Sequence, residues 1–162
     1  MNLRVSVQQQ VPPFKAFDEQ NQLFSSTNLL GQIYVLYFYP KDDTPGCTLQ
    51  ACQFRDIKTS FEKFETRIIG ISPDSLKSHE KFSHKYQLNF TLLSDSSHEM
   101  CDLFGVWQEK KIFGKTKMGV IRSTFIVDAK GLIRWIESPA QVDGHAERVL
   151  KAIQILKNGE MT

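Results

Sequence analysis

The chain has 162 residues, 41% of them apolar and 23% charged, the balance of one ordinary globular domain spanning residues 1–162. Its formal net charge is +2, with Lys and Arg scattered rather than striped, so neither nucleic acid nor a membrane surface is expected as a partner. Three cysteines are too few for a secreted disulfide scaffold of this length.

The opening residues, Met1-Asn-Leu-Arg-Val-Ser-Val, contain no apolar stretch of signal-peptide length, and the longest apolar run, Ile33 to Tyr39, is far too short to span a bilayer. A cytoplasmic chain is the expectation. In a reducing compartment, closely spaced cysteines point to redox chemistry or to metal. The four histidines (79, 84, 98 and 145) are dispersed, and no Cys-x2-Cys or His-x3-His pair is present, so no metal is expected.

In chain order, residues 1–31 read as irregular with short strand-like pieces, ending in a turn at Gly31. Ile33–Tyr39 is a strand apolar on both faces, hence central. Phe54, Ile57, Phe61 and Phe64 recur at helical spacing, which predicts one helix from about Pro45 to Phe64. Arg67–Ile71 is a second buried strand, stopped by Ser72-Pro73-Asp74-Ser75, which also offers helix caps. A helix then runs to about Tyr86, Phe90–Leu93 is a strand, and Ser97–Phe104 is a short helix. Glu109 to Lys115 is a basic, solvated loop that could help a partner dock. Gly119–Val127 and Leu132–Glu137 are strands joined by Asp128-Ala-Lys-Gly131, a hairpin signal. Asp143–Lys157 is an amphipathic helix. Alternation followed by a hairpin predicts an α/β fold: a mixed central sheet with helices on both faces.

The informative stretch is Pro40-Lys-Asp-Asp-Thr44-Pro45-Gly46-Cys47-Thr-Leu-Gln-Ala-Cys52. It begins where strand 33–39 ends, the side on which open α/β sheets bind ligands. Thr44 suits an N-cap and Pro45 the first helical position, which puts Cys47 third in the helix. Unpaired N–H groups and the partial positive charge of a helix start stabilise a thiolate, the reactive form of cysteine. Gly46 would let a small substrate approach the backbone. In a straight helix the Cα atoms of Cys47 and Cys52 would stand about 8–9 Å apart, beyond the roughly 7 Å limit for a disulfide. Either the pair never bridges, or the helix start unwinds when it does. Arg122 opens a strand expected to run antiparallel to strand 33–39, which would bring its permanent charge to the cysteine.

These residues resemble the peroxiredoxins, specifically the bacterioferritin comigratory protein or peroxiredoxin Q group. The likeness is carried by Phe38-Tyr-Pro-Lys-Asp-Asp-Thr-Pro-Gly-Cys47, Ala51-Cys-Gln-Phe-Arg-Asp56, Leu93-Ser-Asp95, Gly105-Val-Trp107 and Arg122-Ser-Thr-Phe-Ile-Val-Asp128, in order along nearly the whole chain. The resemblance implies a thioredoxin-like fold and reduction of hydrogen peroxide and organic hydroperoxides. It makes Cys47 the peroxidatic cysteine, Thr44 the hydroxyl that orients the peroxide, Pro40 the shield of the thiolate, Arg122 the supporting cation and Cys52 the resolving cysteine. Thioredoxin or a similar dithiol protein is the implied reductant. Sulfur carries both electrons, so no bound cofactor is needed, and with both cysteines in one chain a monomer suffices. Gln50 departs from the glutamate common in that group, and a small loss of local polar contacts is expected there.

Other candidates read as structural. Cys101 sits at a helix-core position, although a Cys47–Cys101 link is an alternative pairing, and a redox-responsive binding protein is an alternative to an enzyme. Trp107 and Trp135 read as core or pocket walls. His145 reads as packing or capping at a helix start. Asp42 and Asp43, beside Lys41, read as a solvated turn.

Overall fold

The computed structural model describes residues 3–160. Strands β1 (Lys15–Asp18) and β2 (Leu23–Ser25) form a hairpin followed by a 3-10 turn at Ser26–Leu29, and β3 (Ile33–Phe38) enters the core. Helices α1 (Pro45–Asp56) and α2 (Lys58–Glu62) lead to β4 (Thr66–Ser72), then α3 (Leu76–Lys85), β5 (Thr91–Ser94) and α4 (Glu99–Phe104). A hairpin of β6 (Trp107–Ile112) and β7 (Lys115–Val120) precedes β8 (Ser123–Val127), β9 (Ile133–Glu137) and α5 (His145–Glu160).

The main sheet has seven strands in the order β2-β1-β5-β4-β3-β8-β9. Strands β3, β4 and β5 are parallel, and β8 runs antiparallel to β3. Every residue of β3 is buried. Its side chains alternate strictly: Ile33, Val35, Tyr37 and Tyr39 enter one core with Phe54, Phe61, Phe82 and Val149, while Tyr34, Leu36 and Phe38 enter the other with Cys101, Phe104 and Phe125. Helices α1, α2, α3 and α5 therefore contribute to one face, and α4 with the N-terminal segment to the other. Period-two alternation with both faces apolar is what a central strand requires.

Three expectations are corrected. The helix expected over 45–64 is two helices, because Ile57 leaves helical geometry (φ −116°, ψ 19°). Phe54 and Phe61 still pack across the break, with ring centroids 5.9 Å apart, so the apolar spacing carries no trace of it. The strand expected over 119–127 is also two, parted at Ile121–Arg122. Val120 is paired with Trp107 in the small hairpin, while Ser123 is already paired with Phe38 in the main sheet. Apolar residues flank the break on both sides, Val120 and Ile121 before it and Phe125 to Val127 after it, so two strands in different pairings read as one. Finally, the basic loop over 109–115 is strand on both sides of a tight turn. Phe113 and Gly114 both adopt positive φ, 52° and 76°, as a two-residue hairpin turn demands. The signal was Gly114 between two equal polar stretches, masked by the lysines around it.

Gly70 has a positional role. It is the register partner of Tyr37, and a Cβ on it would stand 2.9 Å from Tyr37 Cζ and 3.0 Å from Leu92 Cδ2. Only a residue without a side chain lets the Tyr37 ring lie across β4.

Candidate active site

Strand β3 delivers the chain at the carboxyl edge of the parallel strands, and residues 39–44 turn it into α1. Pro40, half-buried, marks the exit from the sheet. Thr44 occupies the N-cap with extended geometry (φ −101°, ψ 157°), Pro45 is the first helical residue, and Cys47 is the third. The expected side-chain cap is absent: Thr44 Oγ1 donates instead to the Lys41 carbonyl oxygen at 2.9 Å. Its hydroxyl proton is committed to the loop, so its oxygen remains an acceptor.

Cys47 is 2% exposed. Arg122 Nη2 donates to Cys47 Sγ at 3.3 Å, and Arg122 Nη1 donates to Gln50 Oε1 at 2.5 Å. The guanidinium arrives from the junction between β7 and β8, held where the Arg122 carbonyl accepts from the Ala140 N–H at 2.6 Å. Gly46 makes room for it: a Cβ there would stand 3.3 Å from Arg122 Nη2. That space was expected to serve substrate, and arginine occupies it. Gln50 keeps one polar contact through Oε1, while its Nε2 is buried without a hydrogen-bond partner among the described residues. The small loss expected from an amide at this position is that orphaned donor.

Beneath the site lies Tyr37, stacked on Phe54 with ring centroids 4.8 Å apart. Its hydroxyl is also buried without a hydrogen-bond partner among the described residues. Burial pushes its pKa up, and the neighbouring Cys47 sulfur and Asp42 carboxylate push it further, so it stays protonated.

Cys52 is half-buried on α1, beside Thr48, Leu49 and Tyr86 in a shallow depression next to Asp43 and Thr44. Both thiols are free, and the helix runs unbroken between them. A five-residue helical separation keeps their Cα atoms about 8–9 Å apart, so they are not bridged in place. Cys101 lies elsewhere. It is fully buried in the core on the opposite face of the sheet, where burial and then Asp95 push its thiol pKa up.

Asp42 is not a solvated turn residue. It is 7% exposed, and its carboxylate accepts from Tyr39 Oη at 2.6 Å, Ser78 Oγ at 2.8 Å and His79 Nδ1 at 2.7 Å. Three donors replace water, which is how a buried carboxylate is tolerated. His79 Nε2 lies 2.9 Å from the Leu93 carbonyl oxygen, an acceptor only, so both ring nitrogens of this fully buried histidine donate. Burial opposes its charge, but the hydrogen bond and charge of Asp42 win, and its pKa is raised. Asp42, Asp74 and His79 also form a cluster with metal-ligand atoms, but hydrogen bonds join its members to the protein. The loop is tied again by Asp43, which accepts from Tyr86 Oη at 2.6 Å and Lys85 Nζ at 2.8 Å.

His145 is buried at the start of α5, between Thr124 Oγ1 at 2.8 Å and Glu137 Oε2 at 3.0 Å, as expected of a packing residue. Trp107 stacks on His98 at 3.8 Å between centroids, and Trp135 packs against the core of the α1 face.

A thiol in the first turn of a helix, at the carboxyl edge of parallel strands and backed by an arginine, defines a thiol-based oxidoreductase. Known proteins narrow the class. Residues 7–136 match the model of the AhpC/TSA family. The chain is 42% identical over 148 residues to a putative peroxiredoxin bcp of Coxiella burnetii, covering 91% of this chain and 98% of that protein. It is 40% identical over 156 residues to peroxiredoxin Bcp of Bacillus subtilis, covering 96% and 98%. Among solved structures, a cysteine-to-serine mutant of Xylella fastidiosa PrxQ superposes with a TM-score of 0.90 at 30% identity, covering 95% of this chain and 98% of that one. A Xanthomonas campestris bacterioferritin comigratory protein, studied for alkyl peroxide reduction, gives 0.84 at 35% identity over 88% and 90%. The chain belongs to the AhpC/TSA family, within the peroxiredoxins of the Bcp and PrxQ group. Its fold is accordingly thioredoxin-like and its activity that of a peroxidase.

Proposed function

We propose that this single-domain chain reduces hydrogen peroxide and alkyl hydroperoxides through Cys47, resolves the product through Cys52 and is recycled by thioredoxin or a similar dithiol protein. The observation that carries the reading is the contact of Arg122 Nη2 with Cys47 Sγ at 3.3 Å, at the third residue of a helix. The cation and the helix start both favour the thiolate and the negative charge that develops as it attacks.

The Cys47 thiolate attacks the terminal oxygen of the hydroperoxide. An S–O bond forms, the O–O bond breaks, and the departing alkoxide or hydroxide leaves as alcohol or water once protonated. Thr44 Oγ1, with its own proton on the Lys41 carbonyl, accepts from the peroxide O–H and orients it. Pro40 screens the thiolate from solvent. Cys52 then attacks the sulfenic sulfur, an S–S bond forms, and water leaves. That step needs the first turns of α1 to unwind, because of the helical separation between the two thiols. Thiol exchange with the external dithiol returns both cysteines to the reduced form.

Among the described residues no helix is long and apolar enough to cross a membrane. A cytoplasmic monomer fits a cycle whose two thiols share one chain and must be returned to the reduced state.

The test is oxidation by one equivalent of peroxide, followed by intact mass and disulfide mapping. The expected product has lost two hydrogens and carries a Cys47–Cys52 link. Cys47→Ser should abolish turnover. Cys52→Ser should still form the sulfenic acid but stall before recycling. A 47–101 link, or full activity in Cys47→Ser, would reject the assignment.

A further inference from the structure

Residues 40–44 carry the chain from the end of β3 to Thr44 at the start of α1, and one peptide unit in that loop is held from both sides. The Lys41 carbonyl oxygen accepts from Thr44 Oγ1 at 2.9 Å. The Asp42 N–H, in the same peptide unit, donates to Asp74 Oδ2 at 2.8 Å. The unit is planar and trans, so its carbonyl and its N–H point in opposite directions and turn together. Fixing the N–H on Asp74 therefore fixes the carbonyl that takes the Thr44 proton. A threonine at an N-cap ordinarily turns its oxygen to the N–H groups of its own helix, and Thr44 makes no such bond.

Asp74 is itself held. It lies half-buried between β4 and α3. Its Oδ2 also accepts from Ser72 Oγ at 2.5 Å, and its carbonyl oxygen accepts from Ser94 Oγ at 2.6 Å. Ser72 ends β4 and Ser94 ends β5. The carboxyl ends of two parallel strands thus set the carboxylate that orients the loop leaving the third. The Asp42 side chain anchors that loop to α3 through Ser78 and His79, but an anchor beyond Cβ leaves the preceding peptide plane free to turn. Asp74 is the group that grips the plane.

We propose that Asp74 is a positioning residue for the peroxidase reaction. Through the Lys41–Asp42 peptide unit it holds the Thr44 hydroxyl with its proton turned away and its oxygen open to the peroxide O–H. This rests on the reading of Thr44 as the group that orients the peroxide. The hydrogen bonds of Asp74 go to Asp42, Ser72 and Ser94, so it acts on the placing of the peroxide and not on the thiolate.

The test compares oxidation of Cys47 by hydrogen peroxide, followed by stopped flow, with its alkylation by iodoacetamide, followed by mass spectrometry of the Cys47 peptide. Only oxidation needs an oriented O–H. Asp74→Ala should slow oxidation about ten- to a hundredfold and leave alkylation within about twofold of the native rate. Asp74→Asn, whose amide oxygen can accept from both Asp42 N–H and Ser72 Oγ, should recover most of the oxidation rate. In a Thr44→Val background, Asp74→Ala should add no further loss, because both changes remove the same interaction. A native oxidation rate in Asp74→Ala would overturn the proposal. So would equal slowing of both reactions, the mark of a general disturbance of the site, a failure of the asparagine variant to recover, or losses that add in the double variant. If far-UV circular dichroism shows Asp74→Ala unfolded, Asp74→Ser, whose oxygen is tethered too closely to reach the Asp42 N–H, decides in its place by the same comparisons. Thr44→Val alone separates the two readings. Native oxidation there removes the role of Thr44, and the proposal with it, whereas slow oxidation there beside a native rate in Asp74→Ala rejects the proposal only.

Discussion

Arg122 Nη2 stands 3.3 Å from Cys47 Sγ across 75 positions of sequence. Two features of the fold close that gap. Helix α1 starts where β3 ends, and β8 starts opposite the same end of β3, with Ser123 paired to Phe38. An antiparallel neighbour begins where its parallel partners finish, so the residue preceding β8 necessarily lies over the first turn of α1.

Replacing Arg122 by Met should therefore leave the fold intact and slow peroxide reduction. Loss of one such donor to a developing negative charge costs about 10²-fold in rate. Stopped-flow measurement of the second-order rate constant with hydrogen peroxide checks this. A change of less than threefold would remove Arg122 from the reaction.

The buried Asp42–His79 pair should make stability fall on the alkaline side. His79 has a raised pKa, so its contribution is complete below the unfolded value of about 6.5 and is lost as pH climbs through the folded value. Asp42→Asn should thus lower the urea midpoint more at pH 6 than at pH 9. Equal losses at both would show that the pair contributes no charge-dependent stability.

His145 has the opposite sign. Burial lowers its pKa and outweighs the adjacent Glu137, so its contribution is complete above about pH 6.5 and is lost as pH falls through the folded value. Urea midpoints of His145→Asn and the native protein should converge towards acid pH. A gap that stays constant down to pH 4 would contradict this.

Cys101→Ala should preserve the peroxide-induced disulfide and the catalytic cycle, while costing about 1 kcal/mol of stability from the lost sulfur packing. Peptide mapping after oxidation and a urea titration measure the two effects. Loss of the disulfide in this variant would mean that Cys101, despite lying on the other face of the sheet, takes part in resolution.

Gly70→Ala should destabilise by about 1–3 kcal/mol, because the new methyl would overlap Tyr37 and Leu92 in a packed core. Thermal unfolding gives the value. An unchanged midpoint would show that the Tyr37 ring can move aside without cost.

Much of the site could be read locally. A continuous apolar run marked β3, Thr44-Pro45-Gly46 marked the start of α1, and the five-residue spacing of Cys47 and Cys52 marked a pair that cannot bridge on an intact helix. Such features depend on backbone geometry over a few residues, which side-chain type dictates directly. The break at Ile57 was hidden because the apolar spacing continues across it, and that at Ile121–Arg122 because apolar residues flank it on both sides. The burial of Asp42 was hidden for a different reason: its three donors, Tyr39, Ser78 and His79, come from β3's end and from α3, and nothing near Asp42 announces them. The stretch from Glu109 to Lys115 read as a solvated loop because its lysines hid the pairing of β6 with β7.

By itself, then, the sequence determined the strand, the helix start and the thiol chemistry, since these follow from local conformational preference and residue type. Only the tertiary structure decided which charges meet Cys47. Electrostatic interaction depends on distance in space, and it was the pairing of β8 with β3 that turned residues 47 and 122 into neighbours.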